Sequence, residues 1–260
     1  MANSTLSNAK AAKKDEFYTM FYDIETEMEA YLDYNPNVFR GKTVLLPCDD
    51  PEWSNFTKYF AQNFEALGLK KLISTSYAIN SKVIKAGIQT SFLETTSPKF
   101  DKSKTNTHGK IFVLEKDNTG DGKINLEDLE WDYLEGDGDF RSEEVKKLRD
   151  EADIIVTNPP FSLFREFLAW IVEADKQFII LGNINCITYK EVLPLFKYNK
   201  MWLGVTNFNR GMFFRVPDDF EYAPTYKFDK EINGIKVNRV SGICCYTNIE
   251  HGRLHHPLNL

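Results

Sequence analysis

Apolar residues along this chain alternate between two arrangements, short unbroken runs and recurrences every third or fourth position, and the switching divides most of it into strands and helices. Residues 25–32 read as an amphipathic helix and 43–47 as a short buried strand. In 54–67, Phe56, Tyr59, Phe60, Phe64 and Leu67 keep helical spacing until Gly68 ends the helix. Residues 71–77 and 111–114 read as strands, 143–149 as a charged helix and 154–157 as a further buried strand. A helix over 163–174, a strand over 178–182 and a helix near 190–197 follow, then short strands at 201–205, 211–216 and 241–247. This alternation predicts an α/β fold with a mostly parallel sheet and helices on both faces. No internal repeat or low-complexity linker interrupts it. The length fits one domain over 1–260, with 206–240 a candidate insert.

Composition adds bounds. With 42% hydrophobic residues the chain can bury a sizeable core. It has no apolar run of about 18 residues, and its start is polar through Lys14. The expectation is a cytoplasmic protein with no membrane partner. Four cysteines, Cys48, Cys186 and the adjacent Cys244 and Cys245, lack the spacing of a disulfide framework or a zinc site and read as free thiols. The net charge of −6 weighs against a bulk electrostatic nucleic-acid binder, although charge is segregated. Lys82, Lys85, Lys99, Lys102, Lys104 and Lys110 form a basic neighbourhood that also fits an ordinary solvated surface, and 127–135 is acidic.

The most chemically loaded segment is 152–161, where the run Ile154-Ile155-Val156-Thr157 ends in Asn158-Pro159-Pro160-Phe161. The carboxyl ends of strands are where open α/β sheets bind ligands. An exocyclic amine on a nucleobase is a poor nucleophile because its lone pair is delocalised into the ring. Asn158 can accept one of its hydrogens and the Pro159 carbonyl the other, while Pro159 and Pro160 fix the turn. Phe161 offers a face for stacking, worth roughly 1–3 kcal/mol per base. The plainer alternative is a turn that stops a strand before a helix, with Phe161 in the core.

Asn158-Pro159-Pro160-Phe161 resembles the catalytic motif of S-adenosylmethionine-dependent amino-methyltransferases. Asp15-Glu16-Phe17-Tyr18-Thr19, Cys48-Asp49-Asp50-Pro51, Ser54-Asn55-Phe56 and Gly136-Asp137-Gly138-Asp139-Phe140 narrow the resemblance to the EcoRI-type adenine-specific DNA methyltransferases, from about Lys13 to about Glu250. The resemblance implies a Rossmann-like methyltransferase fold. It further implies S-adenosylmethionine as cofactor, methyl transfer to N6 of a flipped-out adenine, and double-stranded DNA as substrate. A restriction endonuclease acting on the same site is an implied companion, and 206–240 becomes a candidate substrate-recognition insert. The same motif also resembles enzymes acting on RNA bases or a protein glutamine, and an inactive nucleic-acid- or calcium-binding module is a further alternative. EcoRI-type enzymes extend beyond the last strand, whereas only residues 251–260 follow it here.

By this resemblance Asn158, Pro159, Pro160 and Phe161 are the catalytic residues, and Tyr18 and Thr19 close over the methionine part of the cofactor. The first strand–helix turn holds no glycine between Gly41 and Gly68, so Asp49 and Asp50 are expected to meet the cofactor's cationic groups and Ser54 to cap the next helix. The usual ribose-binding acid is missing from Ser74-Thr75-Ser76-Tyr77, which leaves Thr75 or Tyr77 as its substitute. Asp139 and Phe140 are expected at the cofactor's adenine. Phe208, Phe213 and Phe214 are candidates for the second wall of the base pocket, or equally for core strands. Asp117 to Asp128 matches much of a calcium loop but ends in Asp rather than Glu and follows a strand, so a polar turn is the expectation and no metal is assigned.

Overall fold

A computed structural model describes residues 18–50, 54–78, 97–206, 212–215, 230–232 and 235–255. Its first half runs β1 (Tyr18–Thr19), α1 (Phe21–Tyr34), β2 (Thr43–Leu46), α2 (Asn55–Gln62), α3 (Phe64–Leu67), β3 (Lys71–Ser76), β4 (Lys110–Leu114), β5 (Glu130–Tyr133) and α4 (Glu143–Glu151). Its second half runs β6 (Ile154–Thr157), α5 (Phe164–Glu173), β7 (Gln177–Asn183), α6 (Leu193–Lys197), β8 (Trp202–Leu203), β9 (Met212–Arg215), β10 (Lys230–Ile232), β11 (Ile235–Val240) and β12 (Ile243–Thr247).

The main sheet has the order β5-β4-β3-β2-β6-β7-β12-β8. Its four central strands, β3, β2, β6 and β7, are parallel, and the outer ones add on antiparallel at both edges. The carboxyl ends of the central four therefore open onto one rim. A second, antiparallel sheet, β1-β9-β11-β10, joins the N-terminal strand to the region before β12.

Period-two burial builds the layers. Val44, Leu46, Leu72, Ile154, Val156, Ile179, Leu181, Ile243 and Cys245 turn to one face, where α1, α2, α3 and Met212 and Phe214 of the second sheet cover them. Leu45, Ile73, Ile155, Phe178, Ile180, Cys244 and Tyr246 turn to the other, against α4 and α5. Central strands buried on both faces read as continuous apolar runs, which is why β6 was legible as a strand. Each fully buried Val, Leu, Ile or Phe contributes roughly 1.5–3 kcal/mol.

The α/β architecture and the parallel centre agree with the sequence pattern. Several details differ. The helix expected over 54–67 is two helices, α2 and α3, breaking at Asn63 and ending on Gly68 with φ of 64°. The region near 190–197 is only a short α6 preceded by a 3-10 turn at Ile184–Thr188. Strand β9 belongs to the second sheet, and β5, β10 and β11 were not anticipated. Among the described residues of the lysine neighbourhood, Lys99, Lys102 and Lys104 are exposed, as an ordinary solvated surface would have them. Lys99 pairs with Asp132 at 3.3 Å and Lys110 is buried, while Lys82 and Lys85 lie outside the described residues.

The calcium-like loop is held by backbone N–H groups. Asp128 accepts from Asn118, Thr119 and Asn125 at 2.8–2.9 Å, and Asp117 accepts from Gly120 and Gly122. No group of three or more metal-ligating side chains occurs among the described residues, and none of their helices is long and apolar enough to cross a membrane.

Candidate active site

Three turns meet at the rim, one after β2, one after β6, and an acidic turn that follows β5 and sits against the end of β3. Because β2 lies between β3 and β6, its turn is central, the turn beside β3 flanks it on one side and the Asn158 turn flanks it on the other.

The Asn158 turn follows directly from its sequence. Buried Thr157 ends β6, Asn158 is half-buried, Pro159 is buried and Pro160 is half-buried. The Pro160 carbonyl accepts from Leu163 N at 2.9 Å, closing a 3-10 turn over Phe161–Leu163 that starts α5. Two prolines can supply no ladder donor, so the strand stops here and the chain turns with fixed φ. Phe161 is half-buried against the core beneath α1–α3.

The central turn compensates for its missing glycines with side-chain hydrogen bonds. Ser54 caps α2, accepting from Phe56 N at 3.1 Å, which is worth about 1 kcal/mol. The Ser54 hydroxyl donates to Asp49 Oδ1 at 2.6 Å, and the Thr157 hydroxyl donates to Asp49 Oδ2. Asp49 is buried. Its carbonyl accepts from Ser74 and from Thr57 at 3.4 Å, and its N–H donates to the Thr75 carbonyl at 3.0 Å. Asp50 accepts from Ser54 N through its backbone at 2.6 Å and is the more exposed acid of the turn.

The acidic turn sits against the end of β3. Ala78 N donates to the Asp137 carbonyl at 2.7 Å, and Gly109 N to the Gly136 carbonyl at 2.9 Å. Gly138 has φ of 83°, and a Cβ there would stand 2.3 Å from the Ser76 carbonyl oxygen. Asp139 is held by Arg141, with Nη2 2.6 Å from Oδ2 and Nε 2.9 Å from Oδ1; Arg141 also reaches Glu166 at 3.1 Å. Hydrogen bonding to Asp139 pushes the Arg141 guanidinium above its usual pKa, so it stays charged.

Strand β1 completes the site from the second sheet. Asn55, the first residue of α2, donates its amide to the Thr19 carbonyl at 2.8 Å, tying β1 to the central turn. Thr19 pairs with Phe214, which pairs with Asn238, so the three share one face. Thr19 Oγ1 and Asn238 Oδ1 are both buried without a hydrogen-bond partner among the described residues. Buried polar atoms normally have partners. These two oxygens fit a ligand that brings donors.

The structure thus gathers Thr19, Asp49, Asp50, Ser54 and Asn158–Phe161 at adjoining turns of one rim, with Asp139 at its β3 end. Two expected contacts are placed elsewhere. Thr75 is fully buried and donates to the Pro47 carbonyl at 3.0 Å, leaving half-buried Tyr77 as the more accessible candidate at that strand end. Phe140 packs into the opposite core, edge-on to Phe167 and Trp170 at 5.0 and 5.7 Å. Phe214 is a core residue, Phe213 is half-buried, and Phe208, Phe17 and Pro51 lie outside the described residues, as does the Tyr18 side chain. Thr157, Asn55, Arg141 and Asn238 were not anticipated. Thr157 carried a signal, since a hydroxyl closing a buried strand requires a partner.

Comparison with known proteins identifies the family. The family model for the adenine-specific methyltransferase EcoRI matches residues 5–260. Type II methyltransferase M.EcoRI of Escherichia coli is 41% identical over 260 residues, covering 99% of this chain and 72% of that protein. Type II methyltransferase M.MpnI of Mycoplasma pneumoniae is 35% identical over 250 residues, covering 94% of this chain and 64% of its own length. Type II methyltransferase M.MgeORF184P of Mycoplasma genitalium is 33% identical over 251 residues, covering 96% and 66%. No solved structure matches significantly. The chain belongs to the EcoRI family of adenine-specific methyltransferases.

Proposed function

We propose that this protein methylates N6 of adenine in DNA, with S-adenosylmethionine as methyl donor and the target base flipped out of the duplex. The observation that carries the reading is the position of Asn158-Pro159-Pro160-Phe161 at the carboxyl end of β6, next to the turn that follows β2. Membership of the family supports the same reaction.

Bound S-adenosylmethionine supplies a methyl group made electrophilic by a positive sulfur. The chain's contribution is to hold and orient. Thr19 Oγ1, Asn238 Oδ1 and Asp50 are acceptors for cationic or N–H groups at the methionine end. Tyr77 and Asp139 serve the adenosine end beside β3, with Asp139 kept in place by Arg141. Asn158 Oδ1 and the Pro159 carbonyl accept the hydrogens of the target amine, and their attraction grows as positive charge develops on nitrogen. Phe161 stacks on the base, offsetting part of the few kcal/mol that flipping costs. Most of the rate then comes from alignment.

Three substitutions separate the roles. Asn158→Ala is expected to abolish methyl transfer while calorimetric cofactor affinity stays within threefold. Phe161→Ala is expected to weaken DNA retention, and Asp139→Ala to weaken cofactor binding. An Asn158→Ala variant with wild-type turnover contradicts the assignment, and transfer to RNA or protein in place of DNA replaces the substrate.

A further inference from the structure

We propose that Asp49 is a positioning residue that sets Asn158 through Thr157, an inference that rests on Asn158 acting at the target amine. The backbone ladder between β2 and β6 pairs Val44 with Ile154 and Leu45 with Ile155. Thr157, the residue before Asn158, lies two positions beyond the last of these pairs. At the far end of the same two strands, Thr43 N donates to Asp153 Oδ2 at 2.8 Å and Asp153 N donates to the Thr43 carbonyl at 2.9 Å. At the rim, the equivalent clamp is a side chain. One Asp49 oxygen takes the Thr157 hydroxyl and the other takes the Ser54 hydroxyl at 2.6 Å.

The two donors belong to different machinery. Ser54 caps the helix behind the cofactor turn, and Thr157 begins the turn that carries Asn158. Asp49 is only 5% exposed and Thr157 is 0% exposed, so both bonds are made away from bulk water, where hydrogen bonds are electrostatically stronger. The alternative role, a direct ion pair with the cofactor's cationic end, falls to the more exposed Asp50. Asp49 instead makes the cofactor turn and the catalytic turn one rigid unit. A displacement of about 1 Å at the reacting atoms costs on the order of 100-fold in rate, so such a link has a measurable consequence.

The test uses the full chain with Thr157→Val, Thr157→Ser, Asp49→Asn and the double variant Asp49→Asn/Thr157→Val. Single-turnover methyl transfer, calorimetric cofactor affinity and thermal melting are measured on each. Thr157→Val is expected to slow transfer roughly 10- to 100-fold with cofactor affinity within threefold, Thr157→Ser to restore the rate, and the double variant to be no slower than the slower single variant. Cofactor affinity lost tenfold in Asp49→Asn, with Thr157→Val like wild type, makes Asp49 a cofactor ligand and overturns the proposal. Lower melting temperatures with unchanged rates below them overturn it too, leaving only a structural role. The side-chain amide NMR signal of Asn158, identified by its loss in Asn158→Ala, gives a readout independent of activity. It is expected to shift in Thr157→Val and Asp49→Asn and return in Thr157→Ser. If wild-type protein transfers no methyl to DNA, the functional reading fails by itself, and this signal still decides: an unmoved signal refutes the coupling.

Discussion

Gly138 carries the tightest steric demand at the rim. Its φ of 83° costs other residues about 1–2 kcal/mol, and a Cβ would press to 2.3 Å from the Ser76 carbonyl. Gly138→Ala is therefore expected to lower the melting temperature and weaken cofactor binding at least about tenfold, since the turn holding Asp139 must move off β3. Wild-type affinity in a calorimetric titration contradicts that role. The thiols give a second prediction. Burial pushes Cys186 and Cys245 up and Cys244 to about 12, so they stay protonated and unreactive, while Cys48 is half-buried in the central turn. One thiol per native chain is expected to react promptly with a chromogenic disulfide reagent, and Cys48→Ser to remove it; two or more prompt thiols contradict the packing. At this scale the sequence was legible for the turn at Asn158 and the cap at Ser54, whose backbone contexts announce themselves. It was not for Thr75 and Phe140. A hydroxyl or an aromatic ring near a strand end looks alike whether it meets a ligand or a neighbouring segment, and here Pro47 and α5 took them.

Among the elements, α1 has a task that its amphipathic pattern conceals. Its Glu27 is buried and accepts from Tyr31 at 2.9 Å, from Val205 N at 3.1 Å, and from both the N–H and hydroxyl of Thr206. It anchors the chain at Val205 and Thr206, where the candidate insert 206–240 begins. Glu27→Ala is expected to cost about 3 kcal/mol in chemical denaturation, because several buried donors lose their acceptor. A loss under about 0.5 kcal/mol contradicts the anchor. The loop before β5 supplies a pH-dependent case. Backbone N–H bonds, led by that of Asn125, lower the Asp128 pKa. A depressed carboxylate stabilises the fold above its unfolded pKa of about 4, and that contribution is lost as pH falls through the lower folded value. Asp128→Asn is expected to be destabilised at pH 7, with the difference from wild type shrinking progressively as pH falls below about 4 in thermal melts; a constant difference contradicts the linkage. The strands that the sequence reading missed have a common cause. Strand β5 alternates exposed and half-buried residues at a sheet edge, while β11 is held by pairing with β9 and β10 by pairing with β11, which local periodicity does not report.

Across the whole molecule, chemistry is concentrated where the parallel strands end, and the second sheet brings residues from both ends of the chain to the same place. Thr19 and Asn238 are separated by most of the sequence yet flank Phe214 on one face. The parallel centre was legible because four buried runs alternate with helices. The second sheet was not, since its order requires tertiary pairing. The net charge of −6 leaves room for DNA as substrate only if recognition relies on local contacts, with base capture by Asn158 and Phe161 among them. The most direct test is incubation of the protein with isotopically labelled S-adenosylmethionine and unmethylated genomic DNA, followed by nucleoside digestion and mass analysis. Labelled N6-methyladenine that disappears in Asn158→Ala is the predicted result. Label absent from DNA while cofactor binding is intact, or present equally in Asn158→Ala, contradicts the account.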